Sequence, residues 1–315
     1  MPFHLIPPSA STNAGDVDAI FWALTGLSVF ILTIVFGPLT YFAVKYRRGS
    51  KADRTPPRLA TWKFEVTWTI IPFIIGMGIF AWAADVFFHI ETPPSNALEV
   101  DVVGKQWMWK LQHAEGNREI NELHVPIGQP IKLTMTSQDV IHDFFIPAFR
   151  VKQDVVPGRY TTEWFTATKV GRYYIFCAQF CGTSHSSMIG WVDVMHPVDY
   201  QRWLVTTGQG ETMATAGQRL FNQVGCSGCH GVSSKIHAPR LEGLYGGPVP
   251  LEGGQVVTAD DKYIRDSILL PASQIAAGYQ NLMPSFAGRL SEDEVMQLIA
   301  YIKSLASEPS PGSNP

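Results

Sequence analysis

What the chain lacks narrows the field first. It has only four cysteines in 315 residues, too few for the disulfide framework of a small secreted scaffold. Charged residues make up 16% of the chain and the formal net charge is −3, so the basic surface that nucleic acid requires is missing. No Lys or Arg precedes the first long apolar stretch. That stretch is also too long for a signal-peptide core, which argues against a cleaved secretory leader. No internal repeat is present, which excludes a solenoid.

Charge is absent altogether from two runs, 26 residues from Ala19 to Val44 and 19 residues from Val66 to Ala84. A helix needs about 20 apolar residues to cross the hydrocarbon, so both runs are expected to span a membrane. Helices buried in a soluble core rarely stay uncharged for so long. Between them, Lys45 to Glu65 holds seven basic residues and two acidic ones. By the positive-inside bias this loop is cytoplasmic and both ends of the chain lie outside. From Thr92 onward there are 21 acidic and 17 basic residues, a mildly acidic surface that suits solubility and weakly favours a basic docking partner.

Past the Pro-rich stretch E-T-P-P-S-N the pattern changes to period two. Leu98 to Val102, Ile120 to Val125, Ile131 to Met135, Tyr173 to Phe176 and Ile189 to Met195 alternate or are β-branched and aromatic, with turn residues at Gly116-Asn117, Gly128, Pro157-Gly158 and Gly171. Short strands at this spacing predict an all-β sandwich or small barrel over residues 97–197. Trp107 and Trp109 alternate on such a strand and are expected to face one side of the sheet. Residues 198–212 read as a brief helix and a linker. From Met213 the period becomes helical, with helices over Ala214–Phe221, Asp260–Leu269 and Ser291–Leu305. Ser291 and Glu294 form a capping box, and an all-α domain is expected over 213–306. Residues 1–16 are an outer tail, 17–91 a helical hairpin, and 307–315 a Pro- and Ser-rich tail expected to be disordered.

Every cysteine falls in one of two motifs. Cys177-A-Q-F-Cys181-G-T-S-His185-S-S-Met188 gathers two thiols, an imidazole and a thioether within twelve residues. His142, 35 residues before Cys177, can join them if two strand ends are adjacent. Thiolates and thioethers select soft metals, and imidazole suits copper and zinc alike. Spacing alone leaves three readings open: copper, a structural zinc, or a Cys177–Cys181 disulfide on an oxidising face. Met188 favours copper. The second motif, Cys226-S-G-Cys229-His230, is the c-type haem attachment pattern; no second C-x-x-C follows at zinc spacing. A methionine is the sixth ligand that raises the potential of a haem c. Met283 in N-L-M-P-S-F is the candidate, with Met296 and His237 as alternatives.

The segment Cys177 to Met188 resembles the binuclear CuA loop of subunit II of haem–copper cytochrome c oxidases, and the resemblance extends over about residues 17–200. It implies a two-helix transmembrane hairpin and an all-β cupredoxin-like Greek-key barrel. The C-S-G-C-H motif after a helix, with the Gly-rich A-P-R-L-E-G-L-Y-G beyond it, resembles the small cytochrome c domain, so a multidomain membrane protein ending in an all-α cytochrome c domain is expected. The CuA resemblance implies a copper pair bridged by Cys177 and Cys181 and completed by His142, His185, Met188 and the carbonyl of Gln179. One haem c would be bound through Cys226 and Cys229, with His230 and Met283 as axial ligands. Asp139 would support the copper site, Trp107 would pass electrons to it, and Glu65 would lie near the mouth of a proton channel. One departure stands out. The family has Glu where this chain has Gln179, and that Glu binds Mg2+ or Mn2+ at the boundary with subunit I. A neutral amide is a poorer ligand for a hard dication, which counts against that ion here.

The function implied is electron transfer from cytochrome c or another outside donor, through haem c and CuA, to subunit I, where O2 reduction is coupled to proton pumping. The implied partners are oxidase subunits I and III and membrane lipid, with no nucleic acid. The implied location is a bacterial inner membrane with both metal domains outside. The alternatives are the electron-relay subunit of a related reductase, such as one for nitric oxide, and a membrane-tethered shuttle. Quinol-oxidase subunits share the fold but lack the copper ligands that this chain has.

Overall fold

The computed structural model describes residues 6–55, 61–207, 211–231, 234 and 236–306, so the expected tail at 307–315 lies outside the described residues. The chain divides into two compact units, Thr12–Thr92 and the remainder.

The first unit is two helices, α1 (Thr12–Lys45) and α2 (Thr61–Glu91), each long and apolar enough to cross a membrane. The 34 residues of α1 extend about 51 Å, against a hydrocarbon thickness of about 30 Å. Phe30, Phe36, Phe73 and Phe80 stand more than half exposed, a surface that lipid covers and water does not tolerate. The hydroxyls of Thr25, Ser28 and Thr33 each donate to the carbonyl four residues back at 2.7–2.8 Å, so no polar group in this stretch of α1 is offered bare to lipid. The helix starts at Thr12, earlier than the expected hairpin start at 17.

The second unit opens with ten strands: β1 (Leu98–Lys105), β2 (Met108–His113), β3 (Arg118–Ile120), β4 (Glu122–Pro126), β5 (Pro130–Ser137), β6 (His142–Ile146), β7 (Val151–Val155), β8 (Thr161–Thr166), β9 (Gly171–Cys177) and β10 (Ile189–Met195). They form two five-stranded sheets, ordered β3-β2-β1-β5-β8 and β4-β10-β9-β6-β7. In β2, Trp109, Leu111 and His113 alternate inward while their neighbours stay half-buried, the pattern of a sheet with one buried face. The inner faces share one core, in which Val102, Trp109, Leu133, Phe144, Phe165 and Ile175 are fully buried. This is the expected cupredoxin-like barrel. One detail differs. Trp107 sits in the turn between β1 and β2, not on a strand, so it does not share a sheet face with Trp109.

The topology builds the cysteine loop. Strand β6 pairs with β9 so that Phe144 lies opposite Cys177, which brings His142 to the same sheet end. Strands β9 and β10 are antiparallel neighbours, and the loop joining them carries Cys181, His185 and Met188.

Helix α3 (Pro197–Thr207) follows, then α4 (Met213–Gln223), α5 (Ser227–His230), α6 (Asp261–Leu269) and α7 (Glu292–Leu305). The expected all-α character needs one amendment. The Gly- and Pro-rich middle carries a two-stranded ribbon, β11 (Pro248–Pro250) with β12 (Val256–Thr258). Helices α4 and α7 cross closely because Gly217 has no side chain: a Cβ there would meet the Gln297 carbonyl oxygen at 1.9 Å. Ser291 and Glu294 close the capping box at the start of α7.

Candidate metal centres

The two thiols of the cysteine loop are free and buried, with Cys177 Sγ 3.7 Å from Cys181 Sγ, so they form no disulfide. Around them stand four further donors. His142 Nδ1 is 3.9 Å and the Gln179 carbonyl oxygen 3.2 Å from Cys177 Sγ. His185 Nδ1 is 3.5 Å and Met188 Sδ 3.8 Å from Cys181 Sγ. His142 and Met188 have no exposed surface at all. Among the described residues, His142, Cys177 and Cys181 are the one set of His, Cys or acidic groups whose ligand atoms all lie within 4.8 Å of each other. A donor set of two thiols, two imidazoles, a thioether and a carbonyl is soft and suits copper. The thioether has no place in the four-coordinate N, S and O sets of structural zinc.

The surroundings orient these donors. His142 presents Nε2 to Asp139 Oδ1 at 2.8 Å, which makes Nε2 the protonated nitrogen and leaves the Nδ1 lone pair facing sulfur. The same carboxylate accepts the Gln106 N–H at 2.8 Å and the Val140 N–H at 2.7 Å. Burial works against ionisation of Asp139, yet these three donors hold its carboxyl below the usual range. The Gln106 side chain donates to the Cys181 carbonyl at 2.7 Å. Gly182, at φ +119°, lies against the same residue: a Cβ there would meet Gln106 Nε2 at 2.9 Å and the Trp107 ring at 3.3 Å.

The thiols themselves resist being ionised together. Burial opposes ionisation of Cys177, but its His142 and backbone partners outweigh that and bring the thiol below its ordinary value. Burial and then the neighbouring Cys177 push Cys181 up. Two thiolates at this distance need added positive charge, which a pair of copper ions supplies; the residues fit the metal on that ground.

The haem motif stands on α5 and its N-terminal flank. Cys226, Cys229, His230 and Met283 line one apolar cavity of about 300 Å³, walled by Phe221, Leu241, Ile268, Phe286 and Leu298. His230 donates Nδ1–H to the Pro239 carbonyl at 2.9 Å, which directs Nε2 elsewhere as a free lone pair, the tautomer an axial ligand needs. The free thiols, that tautomer and the apolar walls fit a haem c. His237 also lines the cavity but stacks on Tyr279. Met296 is buried away from it, against Val103 and Met213.

Of the remaining sequence candidates, Trp107 packs at the edge of the copper-domain core beside Gly182, with its indole N–H lacking a protein acceptor. Gln179 is exposed on the loop, and Glu65 is exposed near the start of α2. The structure also brings in Gln106, Trp109 and Gly104, none of which the sequence placed at the cysteine loop. Trp109 places its ring edge-on at 5.8 Å from His142 and 4.8 Å from Phe144. Gly104 leaves room for the His142 ring, 2.9 Å from where a Cβ would stand. The first and last had a signal, in a Gln beside the tryptophan pair and a Gly inside a strand.

Residues 116–195 match the family described as cytochrome c oxidase subunit II, periplasmic domain, and residues 214–306 match cytochrome c. The alternative cytochrome c oxidase subunit 2 of Bradyrhizobium diazoefficiens is 31% identical over 243 residues, covering 64% of this chain and 85% of that protein. Cytochrome c oxidase subunit 2 of Alkalihalophilus pseudofirmus is 27% identical over 307 residues, covering 90% and 87%. That of Synechocystis sp. is 29% identical over 261 residues, covering 67% and 78%. Paired membrane helices, a cupredoxin-like domain with a soft donor cluster, a C-x-x-C-H cavity and these likenesses agree: the chain belongs to the cytochrome c oxidase subunit II family and carries a cytochrome c domain after its periplasmic domain.

Proposed function

We propose that this chain is the electron-receiving subunit of a terminal oxidase in a bacterial inner membrane. Electrons from cytochrome c or another outside donor would arrive at a haem c and pass by way of a binuclear CuA centre to subunit I. There O2 would be reduced to water with proton pumping, and subunit III would complete the assembly. The observation that carries this reading is the gathering of four further donors, two imidazoles, a thioether and a carbonyl, from two strand ends and one loop around two buried thiols.

When bound, the copper pair and the haem supply one-electron stations whose potentials follow from their ligands and burial. The chain's own part is to hold the donors still. Cys177, Cys181, His142, His185, Met188 and the Gln179 carbonyl would hold the copper pair. Asp139 fixes the His142 ring, and Gln106 fixes the carbonyl of Cys181. Full burial of His142 and Met188 excludes water from that side of the site. Cys226 and Cys229 would attach the haem, His230 and Met283 would ligate its iron, and Pro239 holds the His230 tautomer. Trp107 would be an electron-entry residue that passes electrons to the copper pair. Glu65 would stand at the mouth of a proton channel shared with subunit I. The neutral side chain of Gln179 leaves a Mg2+ or Mn2+ ion out of this proposal.

Metal analysis and an optical spectrum of the purified complex test the reading. A copper pair and one haem per chain, with O2 consumed on addition of reduced cytochrome c, are expected. Zinc in the cysteine loop would overturn it, and turnover of nitric oxide without O2 would transfer the chain to another reductase.

A further inference from the structure

The two faces of α7 do different things. Val295, Leu298, Ile299 and Ile302 belong to the cytochrome core, and Leu298 and Ile302 line the haem cavity. Met296 turns the other way and closes a small core with Val103 of β1 and Met213, each no more than 4% exposed. Ion pairs rim this contact: Asp293 with Lys110 at 3.0 Å, and Lys303 with Glu99 at 3.3 Å. Arg265, held by Glu292, donates to the Gly158 carbonyl at 3.0 Å. The start of α4 is tied down as well, since the Met213 N–H donates to the Ala114 carbonyl at 3.2 Å. The Glu211 carbonyl lies where a Cβ on Gly116 would be, 2.0 Å away.

This seam reaches the copper ligands. Asp293 also accepts from the Gln138 side chain at 3.4 Å, and the Gln138 N–H donates to the Gly104 carbonyl at 3.0 Å. Gln138 directly precedes Asp139, which holds His142, and Gly104 is the residue against which the His142 ring lies. Along β1, then, Val103 meets α7 and Gly104 meets His142. One helix, about 10–12 Å across, and one strand separate the haem cavity from that ligand.

We propose that the cytochrome c domain is held as a fixed station on the copper domain, with the outer face of α7 as its docking surface and Asp293 as the positioning residue. Electrons from the fused domain therefore reach the copper pair on the His142 side, and Trp107, beside Gly182 on the Cys181 side, takes no part in that step. One electron leaves the haem iron, oxidising it by one unit and reducing the copper pair by one, with no bond or proton transferred. The docking stands on the geometry alone; the electron step rests on the function proposed above.

The test uses the full chain in its detergent-solubilised complex, with Asp293→Lys, Lys110→Asp and the two combined. Hydrogen exchange is followed in Leu98–Lys105 and Glu292–Leu305, and haem-to-copper electron transfer after photoreduction. Asp293→Lys should speed exchange in both segments together by about tenfold, because like charges then face each other across the seam. It should slow the transfer by about tenfold as the docked fraction falls, with haem and copper spectra unchanged. The combined swap should bring both back to within about twofold of the parent. Unchanged exchange in Asp293→Lys overturns the docking. Slowing by Trp107→Phe with none by Asp293→Lys overturns the route. Missing copper or haem spectra in the parent chain would sink the proposed function instead, and the exchange result would still decide the docking.

Discussion

Replacing Asp139 by Ala is the sharpest probe of how the copper ligands are held. Its carboxylate accepts short hydrogen bonds from His142 Nε2, the Gln106 N–H and the Val140 N–H, at 2.8, 2.8 and 2.7 Å, and a longer one from the Ser137 hydroxyl at 3.4 Å. A hydrogen bond to a charged group contributes about 1.5–3 kcal/mol when fully buried. The Asp139 side chain is 26% exposed, so about 1 kcal/mol for each short bond is the fairer figure and the variant should lose about 2–3 kcal/mol. Copper binding should suffer separately. With Nε2 unanchored the imidazole is free to turn and to change tautomer, and losing such a partner costs about 10–100-fold in metal affinity. Because the folded-state carboxyl lies below its ordinary value, its contribution is present at neutral pH and disappears as pH falls through that lowered value. The stability difference between parent and Asp139→Ala should therefore vanish in acid. The assays are copper titration against a competing chelator and denaturant unfolding of the metal-free protein at pH 7 and in acid. Unchanged affinity and an unchanged copper spectrum would refute the claim that Asp139 orients His142.

Cys181→Ser should abolish the copper absorption and leave the haem c spectrum intact; a retained copper signal removes Cys181 from the bridge. Met283→His should replace a thioether by an imidazole and lower the haem potential, since methionine ligation raises it, and an unchanged spectrum and potential would exclude Met283 as the ligand. Asp101 borders a cavity of about 50 Å³ at the α7 seam, with Glu99, Asp261, Lys303 and Tyr160, and burial raises its carboxyl to about 7. A raised carboxyl stabilises the folded state at low pH and loses that effect as pH rises through 7. Thermal unfolding should thus show stability falling by about 1–2 kcal/mol from pH 5 to 8 once access of water to the cavity is allowed for. Asp101→Asn should flatten that slope, and a slope unchanged in this variant would show that another group sets it.

What could be read from the sequence follows the range over which each signal acts. The membrane helices are written in uncharged runs, and the strands in alternation, because both are local consequences of which surface must be buried. The capping box at Ser291 is equally local. The cysteine loop was legible because most of its donors lie within one turn between paired strands. His142 was reachable only by supposing that two strand ends meet, and the β6–β9 register supplies that meeting. Trp107 shows the limit of periodicity: alternate spacing with Trp109 suggested a shared strand face, but the β1–β2 turn falls between them.

The contacts that no periodicity announces are those between residues far apart whose individual roles look ordinary. Lys110 and Asp293 are 183 positions apart, and each alone reads as a solvated surface charge. Gly104 reads as a weak point in a strand until the His142 ring is seen filling the space that a side chain would take. Met296 reads as one more apolar residue of an amphipathic helix, yet it points to Val103, away from the haem cavity. In each case the sequence specifies a residue suited to either of two surroundings, and only the packing of the domains decides between them. That is why the candidate donors could be picked out by their chemistry, while the proposed path between them had to come from the fold. A chain with the same ligands but with opposite charge at 110 or 293 would bind the same metals and join them differently.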